Sequence, residues 1–250
     1  MGIFRKEKKE KDINEIFAAN LKYISQTEID CNVIEQQFVK DESHFYLTVG
    51  EINCPTGRIA VSDPLCYLAW GDFSPVLDKT IEKGIYPVEV AIFRNEMVGI
   101  RMCTARLKIK STKAVRYECA KSTEESAVAK GKDGAFSGFP VDAGMISFCD
   151  EQVAKEYQDF IGKWHEENKD KNHYDDYFAE FFQKSAQEYP QYQREDGDFI
   201  EWENPKTKNK MVMIASGFGD GFYQAYWGYD NKDEICELIV PMINPSLFEE

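Results

Sequence analysis

The spacing of apolar positions changes several times along the chain. Over residues 12–25, Ile13, Ile16, Phe17, Leu21 and Ile24 recur at the spacing of one helical face. Asp12 stands where an N-cap belongs, and Glu15 completes a capping-box pattern. From 32 to 121 the period shortens to two. The runs "HFYLTVGEI", "GRIAVSD", "YPVEVAIFR" and "VGIRMCTARLKIK" are rich in β-branched and aromatic residues and predict strands. In the last run Val98, Ile100 and Met102 alternate, then Ala105, Leu107 and Ile109 alternate in the opposite phase. That slip predicts a β-bulge near Cys103 and Thr104. "RNEM" reads as a hairpin turn, so residues 86–109 are expected to form one long antiparallel pair.

The helical period returns over 150–190. Val153, Tyr157, Phe160, Ile161 and Trp164 make one stripe, and Tyr174, Tyr177, Phe178, Phe181 and Phe182 make another. Charged residues at 165–173 separate them, which predicts a helical hairpin inserted into a β-rich protein and opened by Asp150 as N-cap. Such stripes belong to a core. From 198 to 243, "DFIEWE", "KMVMIAS", "GFYQAYWGYD" and "EICELIVPMI" are separated by short turns and predict a β-meander. The glycines and proline of 129–140 predict a loop, and the composition shift at about 125–140 is the candidate boundary between two β-rich lobes of a single domain, 1–250. Residues 1–11, with Arg5, Lys6, Lys8, Lys9 and Lys11, read as a solvated basic arm. The fold class is therefore α+β: predominantly antiparallel sheet with an N-terminal helix and an inserted helical hairpin. Strands do not alternate with helices, which excludes a doubly wound parallel sheet.

Composition narrows the partners. A formal net charge of −14 disfavours a phosphate backbone and anionic membranes, so neither a nucleic acid nor a membrane is expected. The same charge favours solubility and attraction to basic proteins. Seven cysteines without a C-x-x-C pair, no secretory signal and no transmembrane-length apolar run predict reduced thiols in a cytoplasm. His165 and His173 lie eight apart, away from the i, i+4 spacing of a zinc helix, and no cysteine is near either. No metal and no cofactor is expected, and no G-x-S-x-G elbow is present.

The segment "SGFGDGFYQAYWGYD", 216–230, fails as a nucleotide loop because Phe222 stands where a third glycine belongs, and no Gly-Lys-Ser/Thr follows. It reads as a hairpin with Asp220-Gly221 at the turn. Tyr223, Ala225 and Trp227 share one strand face, and Phe222, Gln224, Tyr226 and Gly228 the other. Such a strand is either buried on both sides or carries an aromatic patch for a partner.

"GRIAVSDPL" (57–65), "GIYPVEVAIFR" (84–94), "FPVDAGMISFCD" (139–150) and this glycine-aromatic segment, in that order, resemble the uncharacterised bacterial DUF4241 family over roughly residues 50–240. The resemblance brings no reaction. It implies a cytoplasmic protein of the kind encoded near toxin and immunity genes, with a protective or interaction role by association. The motif aspartates are Asp63, Asp142, Asp150, Asp220 and Asp230. Asp63, Asp150, Asp220 and Asp230 suit turns and caps. Asp142 lies inside an apolar run, where a buried carboxylate needs a partner, and Arg94, Arg101 and Arg106 could supply one.

The leading expectation is a protein-binding role, of the immunity type, that neutralises a basic toxin by occlusion. Asp63, Arg94, Tyr226, Trp227 and Asp230 are the candidate binding residues, with the two rings as anchors. The alternatives are a hydrolase-like enzyme with Asp142, Asp220 and Tyr223 in a cleft beside an arginine, or a ligand-sensing domain. No catalytic constellation is evident, which leans away from an enzyme.

Overall fold

The computed structural model describes residues 12–71, 76–123 and 137–248. The basic arm at 1–11 and most of the 125–140 boundary lie outside them. Helix α1 (Ile13–Ser25) starts at Asp12, whose carboxylate accepts the Asn14 N–H at 2.9 Å. Its buried face is Ile16, Asn20, Tyr23 and Ile24, whereas Leu21, expected to be apolar core, is 55% exposed. Asn20 explains the offset. Its side chain donates to the Met242 carbonyl and accepts from the Asn244 N–H, both at 3.0 Å, so the helix docks on the C-terminal segment through a polar residue. A short helix α2 (Cys31–Glu35) follows, capped by Asp30.

The strands fall into two antiparallel sheets. The amino-terminal half supplies β1 (His44–Cys54), β2 (Arg58–Ser62), β3 (Val76–Thr80), β4 (Gly84–Asn95), β5 (Gly99–Lys108) and β6 (Arg116–Cys119). The carboxy-terminal half supplies β7 (Phe139–Val141), β8 (Met145–Asp150), β9 (Phe199–Glu203), β10 (Lys210–Ala215), β11 (Gly221–Tyr223), β12 (Tyr226–Tyr229) and β13 (Ile235–Pro241). The first sheet runs β1-β4-β5-β13-β12-β6 and the second β3-β2-β8-β10-β9, while β7 and β11 form a separate ribbon. One apolar cluster joins both sheets, from Ile52, Val90 and Leu107 to Val61, Phe148 and Val212.

The β4–β5 hairpin and its bulge match the sequence pattern. Ala91 faces Thr104 while Ile92 faces Met102, leaving Cys103 as the extra residue. The bulge frees the Cys103 carbonyl to accept the N–H groups of Met242 and Ile243 at 2.7 and 2.9 Å. The helical insertion is present as α3 (Glu151–Glu167), a π-helical turn at Tyr174–Phe178, and α4 (Ala179–Glu188). Tyr157, Phe178 and Phe182 are buried, and the Tyr157 ring meets Trp202 of β9 edge-on with centroids 5.3 Å apart. Asp150 caps α3 through Gln152 N–H at 2.9 Å, and its other oxygen accepts from Thr56 N–H, Thr56 hydroxyl and Gly57 N–H. One carboxylate thus ties the β1–β2 turn to the start of the insertion.

The meander is interrupted. β9–β10 and β12–β13 are antiparallel neighbours, but β10 does not pair with the strand that follows it. After Ala215 the chain leaves the second sheet, pairs β11 with β7, and enters the first sheet between β13 and β6. The expected Asp220-Gly221 hairpin is therefore a crossover between sheets. Positive φ falls on Gly217 (75°) and Gly219 (103°), not on the Asp-Gly pair.

A buried charge cluster holds the middle of the first sheet. Arg106, 8% exposed, donates to Glu89 at 2.6 and 2.9 Å, and its guanidinium lies 3.5 Å from the Phe38 ring centroid. Glu237, fully buried, accepts from Lys108 at 2.9 Å and from the Tyr117 hydroxyl at 2.6 Å. Removing one partner from such a cluster strands the others, a loss of about 3–5 kcal/mol. Arg106→Met is expected to lower the melting temperature by about 6 °C or more in calorimetry. A change below about 2 °C would show that the cluster contributes little to stability.

Candidate functional site

The sheet crossover, the turn after β2 and the loop before β8 meet around one cleft. After β2, Asp63 caps the π-helical turn Pro64–Leu68, a geometry that recurs at functional sites. Asp63 is fully buried and accepts four backbone N–H groups. One oxygen takes Leu65 and Cys66 at 2.9 and 3.0 Å, and the other takes Asp142 and Ala143 at 3.0 and 2.7 Å. It thereby joins the π turn to the loop before β8. The carbonyls of that turn are fixed too. The Tyr157 hydroxyl donates to Pro64 at 2.8 Å, and His173 Nε2 lies 3.1 Å from the Leu65 oxygen.

The crossover is fixed from behind. The Tyr223 hydroxyl lies 2.6 Å from the Ser216 carbonyl and 2.7 Å from that of Gly219, and Ser216 N–H donates to Gly144 at 2.9 Å. A Cβ on Gly217 would come within 2.9 Å of Ile243, so the positive φ and the close approach both require glycine there.

These loops, with β5 and the segments at 172–174 and 194–197, enclose a cleft of about 540 Å³. Its electrostatics are divided. On one lip sits the Cys66 thiol. Burial, then Asp63, Asp142 and Asp220, push it above the ordinary thiol value, so it is protonated at neutral pH. Arg101 and Arg194 also line the cleft. Arg194 is matched by Asp198, with Nε to Oδ1 at 2.8 Å. Arg101 Nη1 donates to the Ile100 carbonyl at 3.0 Å, while its buried Nε has no acceptor among the described residues. Burial, then the Arg194 charge, hold the Arg101 guanidinium below its ordinary value.

The candidates from the sequence are redistributed. Asp142 is exposed rather than buried, and its partner is the Tyr67 hydroxyl, not an arginine. That hydrogen bond pushes the Tyr67 phenol up to about 12. Asp220 is exposed, and it and Asp142 both act on the Cys66 thiol, but neither lines the cleft. Tyr223 is 1% exposed and pins the crossover instead of lining the cleft. Tyr226 and Trp227 are 1% and 0% exposed, so neither presents a ring to a partner: their strand is buried on both faces because it lies inside the first sheet. Trp227 Nε1 donates to Asp78 at 3.2 Å. Arg94 is exposed, donates to the Gln191 carbonyl and lies over the Phe45 ring. Asp230, 3% exposed, closes the β12–β13 turn by accepting from Lys232 and Glu234 N–H and from the Thr112 hydroxyl.

Sequence reasoning set aside the histidines, and the structure brings them together. His165 Nε2 lies 3.0 Å from His173 Nδ1, with the Trp70 ring tilted against the His165 ring at a centroid distance of 4.9 Å. The Leu65 carbonyl can only accept, so His173 carries its proton on Nε2 and its Nδ1 accepts from His165. Nothing in the sequence joined the two rings, because the contact depends on how the turn after α3 folds back. Among the described residues, no group of three or more His, Cys, Asp or Glu side chains is placed to hold a metal ion. No helix among them is long and apolar enough to cross a membrane.

Fold and site together define an α+β protein of two antiparallel sheets with a cleft where the chain passes between them. The family model for a protein of unknown function (DUF4241) matches residues 52–240, and the chain belongs to that family. The match includes all of the cleft. Neither a curated protein nor a solved structure matches the chain.

His173 gives the site a pH dependence. Burial, then the neighbouring His165, hold its pKa below the ordinary 6.5. The unfolded chain therefore takes up this proton before the folded protein does. The stability contribution is complete above about pH 6.5 and is lost as the pH falls through the lower folded value. His173→Gln keeps a donor for the Leu65 carbonyl and removes the titration. Urea unfolding between about pH 5 and 7.5 is expected to show a shallower stability slope in the variant, the wild-type excess being at most about 1.4 kcal/mol per pH unit. Identical slopes would exclude His173 as the titrating group.

Proposed function

We propose that the protein is a ligand-binding domain that takes a small polar molecule into the cleft between the π turn, the loop before β8 and the crossover. The observation that carries this reading is that the cleft is built before any ligand arrives. Its volume of about 540 Å³ suits a small molecule. Its loops are fastened from inside by Asp63 and Tyr223, which are themselves buried. Preorganisation of this kind lowers the ordering cost of binding.

A hydrolase is less well supported. The Cys66 thiol is held protonated, and Asp142 and Asp220 are exposed carboxylates beside it. Protein occlusion retains one argument, the net charge of −14, which would steer a basic partner. Such a surface would need anchors other than Tyr226 and Trp227. A reducing compartment such as the cytoplasm is part of the proposal, because seven free thiols, four of them buried, suit it.

The test is a thermal-shift screen of small polar metabolites, followed by calorimetric titration of each hit with wild type and Ala143→Phe. Ala143 is half-buried on the cleft wall, so the added ring fills the space. The variant is first shown to be folded by circular dichroism. A hit whose affinity falls roughly tenfold or more in Ala143→Phe is the expected result. Hits that bind both proteins equally, or no hit at millimolar concentrations, would contradict the proposal.

A further inference from the structure

We infer that the cleft seats an anionic group of its ligand, a carboxylate or a phosphate, on the Arg101 guanidinium beside Arg194. This inference rests on the cleft being the ligand site and adds the chemical class of what binds there.

Arg101 is the cleft's unmatched cation. A guanidinium presents a fork of N–H donors shaped for carboxylate and phosphate oxygens. Among the described residues, its one hydrogen bond to the protein is from Nη1 to the carbonyl of the adjacent Ile100. Its Nε is buried without an acceptor, and among the described residues no carboxylate forms an ion pair with it; Asp198, which is bonded to Arg194, acts on it only through its charge. The contrast with the other arginines is specific. Arg106 is held by Glu89, Arg194 by Asp198, and Arg94 by the Gln191 carbonyl. Arg101 also keeps a second cation, Arg194, close enough to disfavour its own charge. A guanidinium that lines a concave surface with no carboxylate bonded to it among the described residues points to an acceptor brought by a ligand, which would meet the Nη groups because Nε is closed off from solvent.

The wall next to Arg101 offers further donors. The backbone N–H groups of Gly217, Phe218 and Gly219 make no hydrogen bond to the protein among the described residues, and positive φ at both glycines shapes the loop as concave backbone. Phe218 also lies under the Arg101 guanidinium, 6.0 Å from its carbon, which restricts the orientation of the fork.

The acidic groups near the cleft limit the size of the anion. Asp142 and Asp220 lie close enough to act on the Cys66 thiol, and Asp196 lines the cleft, so a long polyanion would meet repulsion. A small molecule with its anionic end at Arg101 and a neutral or cationic remainder fits both sets of charges.

The experiment reads Arg101 directly in the intact protein. The ¹⁵Nε–H resonance of Arg101 is assigned by its absence from the spectrum of Arg101→Lys. Inorganic phosphate and acetate are then titrated separately into wild type at constant ionic strength. Saturation of the Arg101 signal by phosphate assigns a phosphate group, and saturation by acetate assigns a carboxylate. Either result supports the inference, with affinity expected to fall tenfold or more in Arg101→Met. A resonance that shifts with neither anion overturns it, and that titration is made on the folded wild type. The two proposals fail separately. A neutral hit displaced by Ala143→Phe and unaffected by Arg101→Met would leave the cleft as a ligand site and remove the anion. Anion binding that Ala143→Phe leaves unchanged would keep Arg101 as an anion contact and remove the cleft as the ligand site.

Discussion

The site depends on the Asp63 carboxylate. Four backbone N–H groups from two separate segments converge on its oxygens in a fully buried position. Each hydrogen bond to a charged group contributes about 1.5–3 kcal/mol. A buried carboxylate without them would carry a large desolvation cost. The π turn and the loop before β8 are therefore held in one relative position, and the crossover joins them through the Gly144–Ser216 hydrogen bond. The cleft exists because these connections are made inside the protein, leaving the outward side of each loop open. Asp150 does the same for the β1–β2 turn and α3, so the protein uses buried carboxylates as backbone clamps at least twice.

Charge is distributed unevenly at the two scales that matter for binding. The chain as a whole carries −14, which repels anions at long range. Screening limits that field to about 8 Å at physiological salt. Inside the cleft the nearest charges decide, and these include Arg101 and Arg194. Burial, then the carboxylates around Cys66, keep the thiol protonated, and those carboxylates oppose bulky anions. An acidic protein can in this way hold a local basic site without becoming a nucleic-acid binder.

Much of the architecture was legible in the sequence. Period-two runs marked β1, β2, β4 and β5, and the phase slip marked a bulge near Cys103 and Thr104, which falls on Cys103. Asp12 and Asp150 were readable as caps because capping is local chemistry. What failed was whatever depends on partners distant in the chain. The aromatic run at 222–229 encodes a buried strand, but nothing in it says that β12 lies in a different sheet from β10. Tyr226 and Trp227 looked like anchors for the same reason: a ring pattern alone does not distinguish a sheet interior from a surface patch. Asp142 has buried neighbours but turns its own side chain to Tyr67 and solvent. Asp63, a turn residue by its position before Pro64, is the centre of the site because of a contact made 79 residues later. The unmatched state of Arg101 was likewise invisible, since it is defined by which acceptors the other arginines found: Glu89 for Arg106, Asp198 for Arg194 and the Gln191 carbonyl for Arg94.

The most direct test of a preformed cleft is native-state hydrogen exchange at the amides of Asp142 and Ala143. Asp142 is an exposed loop residue, and an unclamped loop there would exchange within the time of the first measurement. If Asp63 holds the loop as described, both amides exchange slowly, at a free energy approaching that of the core strands β8 and β10. Fast exchange at both, with the core strands protected, would mean that the cleft forms only when something binds.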